Sequence, residues 1–591
     1  MKLMTHLVKR FGYVKGAKSF IHNLVSDANP LYESWVKQVN NYNSKQIDSI
    51  MSNLQYLPKI SVIVPTFNTP KKLLVEMIES VQNQYYTNWE LCIADGGSTH
   101  QPTLDTLKHY QSRLPNIKIK FLDANLHISG NSNEALKLAD GEFIAILDHD
   151  DIITPNALLE VVKVINENNA DFIYSDEDLQ DMDGLCHDPH FKSDYSPDLL
   201  LSQNYICHFT VMRRSLVEQI GGFEVGLDGS QDHDLFLKVT ELTKNIYHIP
   251  KVLYHWRQSP TSVSKNFENK SYAWENGRNA IANAMQRRNI AAEVLLGQSP
   301  GTYRVKYNIL NNPLVSIIIP FKDKHELLIT CITSILEKST YTNFEIIGIS
   351  NNSKEAETFQ TMKKLESQDS RVKFYEYNIP FNYSAINNYA VKNFANGEHL
   401  ILLNNDIEII TPDWIESLLE FSQRKDVGAV GAKLYFPDDT IQHVGVIIGI
   451  GGVAGHPFRR SHKTSRIYFS RHICIQNLSA VTAACLMVKK EYYELVDGLN
   501  EVELTIAFND VDFCLRLREK GLLNVYTPYC EAYHHESISR GYENTPEKLA
   551  RFALETDYVT NRHKEILNSG DPYYNKNLTL AKEDFSGEEF V

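Results

Sequence analysis

The chain has 591 residues, with 59 Lys+Arg against 73 Asp+Glu, a formal net charge of −14, and 43% hydrophobic and 22% charged residues. This usage excludes a disordered or collagen-like chain, and it excludes a strongly basic nucleic-acid binder, so no nucleic-acid partner is expected. At roughly 100–200 residues per domain, the length predicts three to five ordinary domains or two large ones.

Residues 1–26 carry Lys2, Lys9, Arg10, Lys15 and Lys18 and no acid before Asp27. Leu3, Met4, Leu7, Val8, Phe11, Val14 and Phe20 recur at roughly helical spacing. Two readings stand for this basic amphipathic helix: peripheral contact with an anionic membrane surface, or docking on its own domain. No secretory signal is written there, and no apolar run is long enough to span a bilayer. The eight cysteines never fall at CxxC spacing. They read as reduced thiols of a cytoplasmic protein. Residues 30–57 follow a helical pattern through Tyr32, Trp35, Val36 and Val39 and are expected to lie on the first domain.

The chain then repeats itself. Ile60-Ser-Val-Ile-Val-Pro65 returns as Val315-Ser-Ile-Ile-Ile-Pro320, 255 residues later. Tyr86-Thr-Asn-Trp-Glu-Leu91 returns as Tyr341-Thr-Asn-Phe-Glu-Ile346, and Asn133-Glu-Ala135 as Asn388-Tyr-Ala390, at the same offset. One constant offset over three separated segments marks a tandem duplication of a whole domain. Each copy opens with a β-branched strand (residues 61–64 in the first). A helix follows, with Leu73, Leu74, Met77, Ile78 and Val81 on its apolar face in copy one and Leu328, Ile329, Ile332 and Leu336 in copy two. A second strand ends at Asp95, or at Ser350 in the repeat. A later strand, Phe143-Ile-Ala-Ile-Leu147, runs into Asp148-His-Asp-Asp151; its partner Leu400-Ile-Leu-Leu403 runs into Asn404-Asn-Asp406. This alternation predicts a parallel sheet covered on both faces, with a ligand crevice beyond the carboxyl ends of its strands, where Pro65, Asp95 and residues 148–151 would converge.

Asp148-x-Asp150 can present carboxylate oxygens to Mg²⁺ or Mn²⁺. The alternative is a solvated loop, with Asp151 capping the following helix. Asp176-Glu-Asp178 follows a second apolar run and reads either as contacts to sugar hydroxyls or as a solvated loop.

At these residues the chain resembles the inverting family 2 glycosyltransferases, which have the GT-A (nucleotide-diphospho-sugar transferase, Rossmann-like) α/β fold. Copy one carries the resemblance in His127-Ile-Ser-Gly130, Leu147-Asp-His-Asp-Asp151, Tyr174-Ser-Asp-Glu-Asp178, Leu201-Ser-Gln-Asn-Tyr-Ile206, Gly229-Ser-Gln-Asp-His-Asp234 and Leu253-Tyr-His-Trp-Arg257. Copy two resembles the rhamnosyltransferase-like branch in Leu403-Asn-Asn-Asp406, Asn509-Asp-Val-Asp512, Tyr533-His-His-Glu-Ser-Ile-Ser-Arg-Gly541, Asp571-Pro-Tyr-Tyr-Asn575 and Asn577-Leu-Thr579. The resemblance spans about residues 58–580.

The resemblance implies roles. Pro65, Phe67 and Asp95 would hold the nucleotide, a carboxylate accepting a base N–H. Asp148 would lie near the ribose, while Asp150 and His255 would ligate a divalent cation, Mn²⁺ or Mg²⁺. Asp232, at the start of a helix, would be the catalytic base that takes the acceptor hydroxyl proton; capping that helix is its other reading. In copy two the same roles fall on Pro320, Ser350 and Asn404 for the nucleotide sugar, Asp406 and His534 for the cation, with His535 as rival, and Asp510 as base. The spacing agrees: 23 residues separate Asp232 from His255, and 24 separate Asp510 from His534. Copy two departs in Ser350, Asn404 and Asn509, which stand where the pattern has Asp, Asp and Glu or Gln.

The expected organisation is a helical N-terminal extension (1–57), a first transferase domain (58–284), a linker with a turn at Gln298-Ser-Pro-Gly301 (285–312), a second transferase domain (313–545) and a helical tail buttressing it (546–591). The short linker predicts a fixed arrangement of the two domains. The expected function is a two-site inverting glycosyltransferase at the inner face of the cell membrane. It would use UDP-, dTDP- or GDP-linked sugars to extend a lipid-linked or free surface glycan such as O-antigen or capsule. The alternative is one catalytic domain beside a glycan-binding scaffold. A nucleotidylyltransferase would show a Gly-rich phosphate loop, where this chain has Pro65-Thr-Phe-Asn68.

Overall fold

The computed structural model describes residues 30–258, 271–465, 467–535 and 545–587. The amphipathic segment 1–26 and residues 536–541 of the second His motif lie outside the described residues.

The strands of the first copy are β1 (Ile60–Thr66), β2 (Trp89–Asp95), β3 (Ile117–Phe121), β4 (Phe143–Ile146), β5 (Ile152–Ile153), β6 (Phe172–Gln180), β7 (Cys186–His190), β8 (Thr210–Arg213) and β9 (Ile246–Arg257). They form one sheet in the order β3-β2-β1-β4-β8-β6-β9-β5, with β7 on β6. A hairpin follows, β10 (Ala292–Leu296) and β11 (Tyr303–Tyr307). The second copy contributes β12 (Val315–Phe321), β13 (Phe344–Ser350), β14 (Val372–Glu376), β15 (His399–Leu403), β16 (Ile407–Ile409), β17 (Val427–Tyr435), β18 (Ile441–His443), β19 (Ile447–Ile448), β20 (Ala454–Gly455), β21 (Gln476–Leu478), β22 (Cys485–Lys489) and β23 (Leu523–His534). Its main sheet repeats the first order as β14-β13-β12-β15-β22-β17-β23-β16. The register repeats too: Ile60 faces Trp89, and Val315 faces Phe344.

The sheets are mixed, which corrects the parallel expectation. β1, β2, β3 and β4 run parallel, but β8 lies antiparallel between β4 and β6. Hydrophobic runs report that a strand is buried; they carry no sign of its direction.

The helix Lys71–Gln82 buries the expected Leu73, Leu74, Met77, Ile78 and Val81, each worth about 1.5–3 kcal/mol when withdrawn from water. In the repeat helix His325–Lys338 the stripe is rotated: Leu328, Cys331, Ile332 and Ile335 are buried while Ile329 is exposed. Positions 328, 331, 332 and 335 are the ones a 3.6-residue turn aligns.

The N-terminal helices Pro30–Asn40 and Ser44–Asn53 lie on the first domain, where Asn40 donates to the Val252 carbonyl at 2.8 Å. The segment expected as a linker holds the β10–β11 hairpin. Arg304 on β11 pairs with Glu420 of the second domain at 2.9 Å. The domains also meet directly. Asp198 and Arg424 lie 2.5 Å apart, and Asn477 donates to Asp198 at 2.7 Å. The C-terminal tail does more than support the second domain. Glu555 on helix Pro546–Arg562 accepts from Thr505 and the backbone of residues 506–507 there, but Asn575 reaches across to Asp176 and the Lys192 carbonyl of the first domain.

Candidate active sites

Strand pairing places Thr66 beside Asp95. The Asp95 carboxylate is buried and accepts from Ser98 N (3.0 Å), Ser98 Oγ (2.6 Å) and Thr66 Oγ1 (3.2 Å). Pro65 is buried within β1, while Phe67, the first loop residue after that strand, is 42% exposed. On the other side of β1, β4 delivers Asp148 and the turn that follows it.

Asp148 and Asp150 are half-buried and Asp151 is fully buried. Burial raises the Asp148 pKa, and the Asp150 and Asp232 carboxylates add to the rise against His208 and His149. Asp151 is pushed well up by burial and by Asp150 and Asp148. Crowding of negative charge on this scale favours a cation or protons between the carboxylates. Asp151 is not a helix cap: it accepts from Tyr254 Oη (2.5 Å) and Arg257 N (2.7 Å), whereas the next helix, Ala157–Asn168, starts after Asn156. It anchors the acidic turn to β9. Asp232 lies in the first turn of helix Gln231–Leu242, where the helix dipole favours an anion. Ser230 occupies the cap, and Asp232 Oδ2 accepts from Asn204 at 2.8 Å.

His255 stands opposite Ile152, so the expected ligands Asp150 and His255 occupy neighbouring segments. Its Nδ1 faces Asp178 Oδ1 at 2.6 Å and Cys186 Sγ at 3.6 Å. Burial lowers the imidazole pKa, but the Asp178 carboxylate outweighs it and the net shift is well upward. Asp176, Glu177 and Asp178 are therefore not a solvated loop. They are buried within β6, where Asp176 accepts from His248 (2.8 Å) and Glu177 from the His208 amide (3.1 Å). Lys192, fully buried, donates to the Ser175 and Ile206 carbonyls at 2.9 and 2.6 Å and lies 3.5 Å from Glu177.

The sequence reading missed His208. Its ring stacks on Tyr254 at 4.5 Å, and its Nε2 lies 3.9 Å from Asp148. Asp148, Asp151 and His208 form one candidate cation cluster; Asp178, Cys186 and His255 form another. Tyr254 and Tyr174-Ser-Asp-Glu-Asp178 were in view, but no spacing rule links His208 to residues 60 positions upstream.

In the second copy, Pro320 is buried opposite Ile349, and Ser350 bonds Ser353 at 2.9 Å. Asp406 Oδ1 lies 3.2 Å from His534 Nε2, and Asn404 Nδ2 lies 3.4 Å from the same nitrogen. The rival His535 instead meets Glu408 at 3.1 Å. Burial would raise the Asp406 pKa, but His534 turns the shift downward. Asp406 Oδ1 and His534 Nδ1 are buried without hydrogen bonds. Asp406 Oδ1 and His534 Nε2, which face each other, are an oxygen and a nitrogen donor of the kind a divalent cation takes. Asp510 opens helix Asn509–Glu519 and accepts from Ala483 N at 3.0 Å. A buried His443, also unforeseen, places Nδ1 3.0 Å from His456 Nδ1, and its Nε2 is 3.4 Å from Thr482 N. Burial, with His456 and His534 nearby, holds its pKa well below the usual value.

Two mixed α/β sheets in tandem, each with an acidic or amide-acid turn beyond a central strand and a carboxylate on a facing helix start, define a GT-A glycosyltransferase architecture. The model of Glycosyl transferase family 2 matches residues 61–221 and again 316–490, and the chain belongs to that family. It is 46% identical over 544 residues to the uncharacterised protein y4gI of Sinorhizobium fredii, covering 91% of this chain and 60% of that one. It is 37% identical over 536 residues to the O-antigen biosynthesis protein RfbC of Myxococcus xanthus, covering 90% of this chain and 41% of the relative. The chain thus spans 60% and 41% of these relatives' own lengths. Among solved structures it resembles S. aureus TarS 1-349 in complex with UDP-GlcNAc, with a TM-score of 0.33, 24% identity, and coverage of 38% of this chain and 66% of that one. No helix among the described residues is long and apolar enough to cross a membrane.

Proposed function

We propose that this family 2 glycosyltransferase is an inverting enzyme with two active sites, transferring sugars from nucleotide-sugar donors to a growing surface polysaccharide. The observation that carries this reading is the duplicated constellation: a strand-end carboxylate (Asp150, Asp406), a helix-start carboxylate (Asp232, Asp510) and an imidazole on the last long strand (His255, His534). The relative named for O-antigen biosynthesis supports a surface-glycan product.

In this reading Asp95 in the first site accepts the N–H of a uracil, thymine or guanine base, and Phe67 covers the ring. Asp232 and Asp510 take the proton from the acceptor hydroxyl as that oxygen attacks the anomeric carbon, so no covalent enzyme intermediate is needed. Asp150 with His255, and Asp406 with His534, would hold Mn²⁺ or Mg²⁺. The cation would supply positive charge for the departing nucleoside diphosphate. Asn204 donates to Asp232 and the Ala483 amide to Asp510, and each bond fixes one oxygen of its carboxylate.

A second reading keeps only the first domain catalytic, with the second as a glycan-binding scaffold. It is favoured by Ser350 and Asn404, which remove two charges from the second pocket. Product mass and linkage analysis with UDP-, dTDP- and GDP-sugars, on the wild type and on each single-site base variant, separates the readings. Two lost linkages support two sites; one supports the scaffold.

A further inference from the structure

The first site contains a buried polar chain that its proposed chemistry does not use. Tyr32, on the N-terminal helix Pro30–Asn40, donates its hydroxyl to Asp178 Oδ2 at 2.8 Å. Asp178 Oδ1 lies 2.6 Å from His255 Nδ1. Asp178 and Tyr32 are 1% and 2% exposed. Asp178 and His255 face each other across β6 and β9. A carboxylate this close to one ring nitrogen takes its N–H and fixes the ring, which leaves the other nitrogen, Nε2, as the position for a ligand.

The second copy has no such support. His534 Nδ1 is buried with no hydrogen bond, and its Nε2 faces Asp406 instead. In the second copy β17 meets β23 with Lys433 opposite Glu531 and Tyr435 opposite Tyr533, and β17 carries no carboxylate that could take an N–H of His534.

We propose that Asp178 is a positioning residue of the first site, held by Tyr32, which locks the His255 ring so that Nε2 is presented to the divalent cation. This rests on the proposed role of His255 as a cation ligand. It assigns the N-terminal helix a function in the first site, since that helix supplies the hydroxyl that orients Asp178. A carboxylate or carbonyl holding the far nitrogen of a ligating histidine is a general device for fixing ring orientation and raising ligand basicity.

The test is Mn²⁺ affinity, read by electron paramagnetic resonance on the full chain in an Asp406→Ala background, so that only the first site contributes. Asp178→Asn is expected to weaken Mn²⁺ binding about 10–100-fold, and Tyr32→Phe a few-fold in the same direction. Saturating Mn²⁺ should restore the turnover of both. His255→Ala serves as the reference. If it loses affinity while Asp178→Asn and Tyr32→Phe keep it and merely unfold at lower temperature, the pair is structural and the positioning proposal falls alone. If His255→Ala keeps full affinity, the cation-ligand assignment falls and takes this proposal with it. If Cys186→Ser costs as much affinity as His255→Ala, the cation lies on the Asp178–Cys186 side of the ring, which also overturns the positioning.

Discussion

Asn575, in the C-terminal tail, donates to both carboxylate oxygens of Asp176 in the first domain, at 3.0 and 2.9 Å. The same amide reaches the Lys192 carbonyl at 2.8 Å. Asp176 is fully buried and lies two residues from Asp178, on the strand that faces His255. The C-terminal tail therefore helps hold the first-domain strand that carries Asp178.

Removing that amide leaves a buried carboxylate with only His248 and the Lys192 amide as partners. Asn575→Ala is expected to destabilise the protein by about 1.5–3 kcal/mol, the usual worth of a hydrogen bond to a charged group. Urea unfolding checks this. A conservative Asn575→Asp should be worse than alanine, because it sets a second carboxylate against Asp176.

The base assignment predicts two separable losses. Asp232→Asn and Asp510→Asn each keep the side-chain shape and remove a proton acceptor, so each should cost about 10²–10⁴-fold in one transfer. Nucleotide-sugar binding should persist in both, since Asp95 and Ser350 lie on other segments. Linkage analysis of the products reads the outcome. An unchanged product from Asp510→Asn would mean that the second domain is a scaffold.

The cation reading predicts that a chelator abolishes both transfers and that Mn²⁺ or Mg²⁺ restores them. Full turnover in excess chelator, measured by nucleoside-diphosphate release, would contradict it. His534→Ala should affect the second linkage and His535→Ala should not, because His535 is paired with Glu408.

Two buried histidines predict acid sensitivity. Burial, with Lys489 nearby, lowers His399 to about 4, and burial with Lys433 lowers His472 to about 4. An unfolded histidine takes up its proton near pH 6.5. Between about pH 6.5 and 4 the unfolded chain therefore binds protons that the folded chain refuses, and stability falls as pH falls through that window. The loss from pH 7 to 5 is on the order of 1–2 kcal/mol per histidine. Urea midpoints at the two pH values should differ less in His399→Gln than in the wild type.

Much of the frame was legible in the residues themselves. The 255-residue repeat, the apolar runs of β1 and β2, the buried face of helix Lys71–Gln82 and the strand end at Asp95 follow from residue patterns, while the helix start at Asp232 comes with the family resemblance. Such patterns are local, because burial of one face is written every two or every 3.6 residues. Tertiary structure alone decided the antiparallel β8, the burial of Asp176, Glu177 and Asp178, the anchoring of Asp151 by Tyr254, and the arrival of His208 beside Asp148. Each depends on which strand lies next to which. Asp178 reads in the sequence as a sugar contact or a solvated acid until β9, 77 residues further on, brings His255 to its carboxylate. A carboxylate is affordable in a strand interior only when hydrogen-bond donors meet it there, and their arrival is fixed by long-range pairing, which no local spacing records.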